Sequence, residues 1–169
     1  MVGFNLNSIA KRSESGRRAQ IYICVKDNLL KRKLSAQLRK IFPIVSAIHP
    51  QSNISPTAVI GKGSIMNKSV VVEADARIGK ECVLHAGTVI EHDCQIKSYC
   101  NLAPGVVLAG GVIIGGLTTI FSGTIVAPGV KIGKNSVIGA GSLVLQDIPS
   151  NVLAYGRPAR VIKNLSQPK

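Results

Sequence analysis

Residues 54–90 read ISPTAVIGKGSIMNKSVVVEADARIGKECVLHAGTVI, and an aliphatic side chain returns at every sixth position of this stretch. The same period continues in both directions without insertion or deletion. Its seventeen members are Ile48, Ile54, Ile60, Met66, Val72, Ile78, Leu84, Ile90, Ile96, Leu102, Leu108, Ile114, Ile120, Val126, Ile132, Ile138 and Val144. The position four residues later is small or β-branched. An α-helix repeats near 3.6 residues and a strand near 2, so a strict period of six predicts an all-β solenoid of hexapeptides.

The period also predicts which residues stack. In a triangular β-helix three hexapeptides make one coil, so residues eighteen apart lie about 4.8 Å from each other. Glycines directly after the aliphatic ladder, at positions 61, 79, 115, 133 and 139, are expected where the chain turns a corner. The ladder ends at the sequence QDIP, so the predicted β-helix domain spans residues 48–149.

The flanks lack this period and predict smaller units. Residues 1–20 are polar and basic and are expected to be a poorly ordered leader. Residues 21–47 predict one strand, Ile21–Val25, and one helix over residues 29–41, capped by Asp27 or Asn28 and stopped by Pro43. The apolar face predicted for this helix consists of Leu30, Leu34, Leu38 and Ile41. Residues 150–169 are expected to form an extended cap, with a short helix in VIKNL.

The net charge of +13 is concentrated at the two ends of the chain. Residues 1–50 carry ten Lys/Arg against two acids, residues 51–150 seven against six, and the tail from residue 151 four against none. Basic ends suit phosphate-rich small ligands, nucleic acid or anionic lipid, although solubilising charge has the same appearance. No apolar run approaches the ~20 residues that span a bilayer. A soluble, cytoplasmic protein with no membrane insertion and no nucleic-acid partner is expected.

The four cysteines indicate packing rather than chemistry. Cys82, Cys94 and Cys100 occupy the small position of the repeat, and Cys24 lies alone in an apolar run. Because no Cys-x-x-Cys pair exists, a zinc or redox role is not indicated.

His92 is the candidate catalytic residue. It stands in Glu91-His92-Asp93, where an acidic neighbour can fix the tautomer of the ring and raise its basicity. The residues predicted one coil below and above it are Ala74 and Gly110. These small residues predict free space beside the imidazole, and the Gly110 backbone N–H is suited to stabilise an oxyanion.

His49 and His85 raise a zinc alternative. They are thirty-six residues apart, hence in one column and two coils apart, roughly 9.6 Å. That arrangement is similar to the γ-class carbonic anhydrases, but one subunit cannot place both rings on one zinc at ~2 Å. The position of His92, seven residues after His85, also departs from the spacing of five in that class.

The hexads, the EHDC sequence at 91–94 and the ending DIPSNVLAYGRPAR resemble the bacterial hexapeptide-repeat acyltransferases. The resemblance covers residues 21–163. Within the family the sequence is most similar to the sialic acid O-acetyltransferase and UDP-amino-sugar N-acetyltransferase group (NeuD/PglD-like). The resemblance implies a left-handed β-helix, a homotrimer, and acetyl-CoA bound in grooves between subunits. The implied activity is transfer of an acetyl group to an amine or hydroxyl of a sugar or nucleotide-sugar in surface-glycan synthesis.

The resemblance also implies roles for individual residues. His92 is the expected general base, Asp93 its partner, and Gly110 the donor to the acetyl carbonyl. The remaining positions that match acetyl-CoA contacts, or whose charge suits the CoA phosphates, are Asn101, Ser122, Ala140, Arg157 and Arg160. No metal is implied.

Two departures from the family pattern leave a second reading open. Asn101 stands where a second histidine is common, and its amide can donate a hydrogen bond but cannot shuttle a proton. Residues 21–47 resemble only the end of a Rossmann-like acceptor-binding domain, with Lys26 in place of a usual glycine. A trimeric scaffold without catalytic activity is therefore the alternative hypothesis. An ice-binding solenoid is set aside because the threonines form no regular ladder.

Overall fold

The computed structural model describes residues 20–25 and 27–165, and most of this chain is a parallel β-helix. The solenoid is built from seventeen strands of two residues, and each strand ends on a member of the aliphatic ladder. These strands are β1 (Ala47–Ile48), β2 (Asn53–Ile54), β3 (Val59–Ile60), β4 (Ile65–Met66), β5 (Val71–Val72), β6 (Arg77–Ile78), β7 (Val83–Leu84), β8 (Val89–Ile90), β9 (Gln95–Ile96), β10 (Asn101–Leu102), β11 (Val107–Leu108), β12 (Ile113–Ile114), β13 (Thr119–Ile120), β14 (Ile125–Val126), β15 (Lys131–Ile132), β16 (Val137–Ile138) and β17 (Leu143–Val144).

Every third strand pairs in parallel, which produces three sheets. Sheet 1 begins at β1 and includes β4, β7, β10, β13 and β16; sheet 2 runs from β2 to β17 and sheet 3 from β3 to β15. The register is eighteen residues, as in the pairing of Ile48 with Met66. The ladder side chains from Met66 to Val144 are almost fully buried, whereas Ile48 in the first coil is 45% exposed. The predicted β-helix and its stacking register are confirmed.

The residue that turns the chain at each corner lies at a different position of the hexapeptide from the one predicted. The residue three after each ladder member has a positive φ at every corner from position 63 to position 141, whether or not it is glycine. The glycines directly after the ladder are needed for close approach instead: a Cβ on Gly61 would lie 2.5 Å from the Gly79 carbonyl carbon. The expected glycines therefore lie at the corners but do not supply the left-handed turn.

The helix α1 (Asn28–Leu38) packs on the solenoid with a polar face. Asp27 caps it, accepting from the backbone N–H groups of residues 29 and 30. The buried residues of α1 are Asn28, Lys31 and Ser35, while Leu30 is 46% exposed. The leucine face predicted from the sequence is therefore not the face that contacts the solenoid.

A buried polar cluster explains this orientation. Lys31 Nζ donates to the Glu81 carbonyl at 2.6 Å, and Arg39 contacts the Glu81 carboxylate at 2.7 Å. Ser35 also donates to this carboxylate. Burial lowers the pKa of Lys31. Because Glu81 lies in a turn between sheets 3 and 1, the cluster anchors α1 over that corner.

The described part of the chain ends in an antiparallel hairpin rather than a short helix. Strand β18 (Val152–Gly156) continues sheet 1 and pairs with β19 (Ala159–Asn164), which includes the VIKN residues predicted as helical. The extended cap is confirmed over its described part, and its helical end was wrong. The predicted strand at 21–25 is reduced to one bridge between Ile21 and Ile44.

Some sequence predictions lie outside the described residues: the order of the leader and the environment of Lys26. None of the helical structure in the described ranges has the length and hydrophobicity that a membrane-spanning helix requires.

Candidate active site

His92 lies in the turn between β8 and β9, at the corner where sheet 2 meets sheet 3. Its Nδ1 is 2.8 Å from Asp93 Oδ2, and both side chains are about two thirds exposed (63% and 67%). Since a carboxylate can only accept, Nδ1 carries the proton and Nε2 keeps its lone pair in the neutral ring. The structure thus brings the two predicted catalytic residues together in the geometry of an oriented base.

The acidic surroundings raise the pKa of His92. The hydrogen bond with Asp93 is the largest cause, opposed by partial desolvation and reinforced by the charges of Asp93, Glu91 and Glu73. Glu73 lies one coil below Glu91 in the same column. A stronger base is the consequence, at the cost of a larger protonated fraction near neutral pH.

Gly110 is in direct contact with the imidazole. A Cβ at this position would lie 2.7 Å from both Cε1 and Nε2 of His92. The imidazole therefore fills the space on its Gly110 side, and a side chain at position 110 would displace it. The stacking of Gly110 over His92 was predicted correctly, and the rest of the ring is open to solvent because the side chain is 63% exposed.

The Gly110 backbone leaves its N–H available. Its carbonyl accepts from Gly129 N at 2.9 Å, and Gly111 N donates to the His92 carbonyl at 2.9 Å. Within residues 20–25 and 27–165 the Gly110 N–H has no backbone acceptor. An N–H without a backbone acceptor, in the residue that packs against the imidazole, is suited to an oxyanion that forms next to the base.

Asn101 does not belong to this corner. It lies in β10 of sheet 1, and its Oδ1 is 3.1 Å from Nε2 of His85. Ser122 and Ala140 lie at a third location, the corner between sheets 1 and 2, one coil apart. Within one chain, sheet 2 thus separates the predicted catalytic pair from the acetyl-CoA positions Ser122 and Ala140.

The arginines predicted for the CoA phosphates are in the C-terminal hairpin. Arg157 Nη1 is 3.5 Å from the Gly141 carbonyl, which places it next to Ala140. Arg160 is exposed in β19, and its Nη1 donates to the Ala159 carbonyl at 3.2 Å. The column that contains Ser122 and Ala140 therefore leads toward the positively charged arginines of the C-terminal hairpin.

An apolar stripe on sheet 2 escaped the sequence reasoning. Its outward residues alternate with the ladder and are Val71, Val89, Val107, Ile125 and Leu143. Ile125 is 40% exposed. The corresponding residues of sheet 3 include Arg77, Gln95 and Lys131. The signal was present in the sequence, because the residue before every third ladder member is aliphatic from Val71 to Leu143.

The histidines of the zinc alternative have other partners. His85 contacts Asn101 through Nε2 and Asn67 through Nδ1, and His49 Nδ1 accepts from Gln51 N at 3.1 Å. No group of three metal-ligating side chains occurs in the described ranges. The geometry gives the zinc reading no support.

The three cysteines of the repeat are fully buried in the core, as predicted. Their thiols donate to carbonyls of the next coil, for example Cys94 to Ala109 at 3.2 Å. Burial raises the pKa of Cys94, so its thiol stays protonated and is a poor nucleophile.

A hexapeptide β-helix with a histidine–aspartate pair at one corner defines a hexapeptide-repeat transferase. A family model described as bacterial transferase hexapeptide (six repeats) matches residues 75–110. A histidine-to-asparagine mutant of perosamine N-acetyltransferase from Caulobacter crescentus, solved with CoA and GDP-perosamine, is 36% identical. The match covers 86% of this chain and 70% of that chain, with a TM-score of 0.85. The chain therefore belongs to the bacterial hexapeptide-repeat acetyltransferases.

Two further solved structures are similar. The acetyltransferase domain of PglB from Neisseria gonorrhoeae, in complex with acetyl coenzyme A, is 27% identical over 85% of this chain and 70% of that chain, with a TM-score of 0.83. WeeI from Acinetobacter baumannii shares the fold, at 23% identity over 93% of this chain and 76% of that chain, with a TM-score of 0.77. No curated protein sequence matched the chain.

Proposed function

We propose that the protein transfers an acetyl group from acetyl-CoA to a nucleotide-activated sugar, with His92 as general base. The observation that carries the proposal is the His92 ring: Asp93 holds its Nδ1–H, and its Nε2 lies against Gly110. The similar perosamine N-acetyltransferase was solved with CoA and GDP-perosamine, which supports an amino-sugar acceptor. Both substrates carry phosphates, which suits a chain of net charge +13.

The reaction is a direct transfer. The acceptor amine or hydroxyl attacks the thioester carbon while its proton passes to Nε2 of His92. Asp93 stabilises the imidazolium, and the Gly110 N–H stabilises the oxyanion of the tetrahedral intermediate. Collapse breaks the carbon–sulfur bond, and the imidazolium returns its proton to the leaving CoA thiolate. No protein nucleophile is required.

A homotrimer completes this site. When three solenoids pack with sheet 2 around a threefold axis, the apolar stripe on sheet 2 is buried at the centre. The corner carrying His92 then faces the neighbour's corner carrying Ser122 and Ala140. Symmetry thus unites the catalytic pair with the acetyl-CoA positions that one chain holds apart. Asn101, Arg157 and Arg160 complete the acetyl-CoA groove.

The test is a thiol-release assay with acetyl-CoA and a panel of nucleotide-activated amino sugars, with free sialic acid included as a hydroxyl acceptor. Release of CoA with an amino-sugar nucleotide, lost in His92→Ala, is expected. Mass spectrometry of the product distinguishes an amide from an ester. Absence of acetyl-CoA binding in calorimetry at millimolar ligand would refute the enzyme and favour the trimeric scaffold.

A further inference from the structure

Three polar side chains form a connected row on the edge of sheet 1 nearest the acetyl-CoA positions. Asn67 and His85 are eighteen residues apart and stack directly, with Asn67 Nδ2 and His85 Nδ1 separated by 3.4 Å. His85 Nε2 is 3.1 Å from Asn101 Oδ1 in the next coil. All three side chains are partly exposed, so the row lies at the surface rather than in the core.

With the Asn67 and Asn101 amides oriented as in the structure, the row has one consistent arrangement of hydrogens. A neutral imidazole has one donor and one acceptor nitrogen. Because Asn101 Oδ1 can only accept, His85 Nε2 donates to it. His85 Nδ1 is then the acceptor, and it faces the amide donor of Asn67. Each donor meets an acceptor from Asn67 through His85 to Asn101.

The last member of the row is oriented as a consequence. With its oxygen held by His85, the Asn101 amide presents its nitrogen on the other side. Among the described residues the Asn101 Nδ2 has no acceptor. An asparagine amide is nearly symmetric in shape, so without His85 the oxygen and nitrogen could exchange places. An oxygen in that position would repel a ligand carbonyl.

We propose that His85 is a positioning residue that aims the Asn101 N–H groups at a carbonyl oxygen of acetyl-CoA. The inference rests on the proposed function, because acetyl-CoA is the ligand. It also explains how asparagine serves at position 101: the row supplies a fixed donor there without proton transfer.

The test separates binding from chemistry. A neutral hydrogen bond contributes enough for His85→Ala to raise the acetyl-CoA KM about 3- to 10-fold, with kcat and the acceptor KM within about twofold. Asn101→Ala should have the same effect, and the double variant should be no worse than either single one. His85→Gln, which restores an N–H donor, should recover most of the loss. The matched control is His49→Ala, in the same column but outside the row.

A second measurement is independent of activity. Nitrogen-15 NMR of the histidine rings should show His85 as the Nε2–H tautomer, and an Nδ1–H tautomer overturns the proposal. An unchanged KM in His85→Ala, or additive effects in the double variant, overturns the positioning role while leaving the proposed function intact. Failure of the unmodified protein to bind acetyl-CoA overturns both.

Discussion

Substituting Gly110 by alanine tests the base and its surroundings with a single methyl group. The added Cβ would lie 2.7 Å from Nε2 and Cε1 of His92, whereas ordinary contacts are 3.4–4 Å. The imidazole must therefore retreat by about 1 Å, a misplacement that costs about 10²-fold in rate. This corresponds to about 2.7 kcal/mol of lost transition-state stabilisation.

The same change should leave the fold intact. The φ of Gly110 lies outside the left-handed region, so alanine introduces no backbone strain. The neighbouring His92 is 63% exposed and has room to rotate. We expect the free energy of unfolding to change by less than about 0.5 kcal/mol.

Steady-state kinetics of Gly110→Ala, with thermal unfolding in parallel, measure both quantities. The matched control is Gly116→Ala, at the corner between sheets 3 and 1, where the nearest atom to a new Cβ is the Ser98 carbonyl oxygen at 3.1 Å. The control should retain the unmodified rate. A Gly110→Ala enzyme with full kcat/KM would show that transfer does not depend on Nε2 in its present position.

Four further outcomes are expected. His92→Ala should reduce transfer by about 10²–10⁴-fold while the acetyl-CoA Kd stays unchanged; an unaffected rate would identify another base. Asp93→Asn should lower the pKa of His92, because the hydrogen bond to the Asp93 carboxylate is the largest cause of its raised pKa. Since the base acts when neutral, the rising limb of the pH–kcat/KM profile should move to lower pH, with a lower plateau; a limb that stays in place would count against His92. If the chain forms the proposed trimer, Ile125→Asp should dissociate it in analytical ultracentrifugation, whereas Ile113→Asp on sheet 3 should not; unchanged mass would contradict the threefold packing. Lys31→Ala should lower the free energy of unfolding by about 1.5–3 kcal/mol in urea titration, because it removes a buried charged hydrogen bond to the Glu81 carbonyl. A loss below about 1 kcal/mol would mean that the buried cluster does not hold α1.

The sequence could predict the periodic part of the site because stacking follows from counting. Gly110 follows His92 by eighteen residues, and a regular coil places them in contact without reference to the rest of the chain. The orientation of the histidine needed only its adjacent Asp93. The volume beside the ring could not be predicted, since the spacing gives which backbones stack but not which rotamer fills the gap.

The period of six by itself determined the β-helix, its register, the buried cysteines and the column of His92. Each coil repeats the contacts of the previous one, so the spacing of two residues in the sequence already indicates whether they touch in the fold. Only the tertiary structure decided how α1 lies, because its orientation depends on Lys31, which precedes the repeat, reaching Glu81 fifty residues away. The same is true of the row that ends at Asn101: its members are separated by eighteen and sixteen residues, and the second spacing departs from the repeat. Contacts between residues eighteen apart can be predicted from the sequence. Contacts at other spacings can be found only in the folded structure.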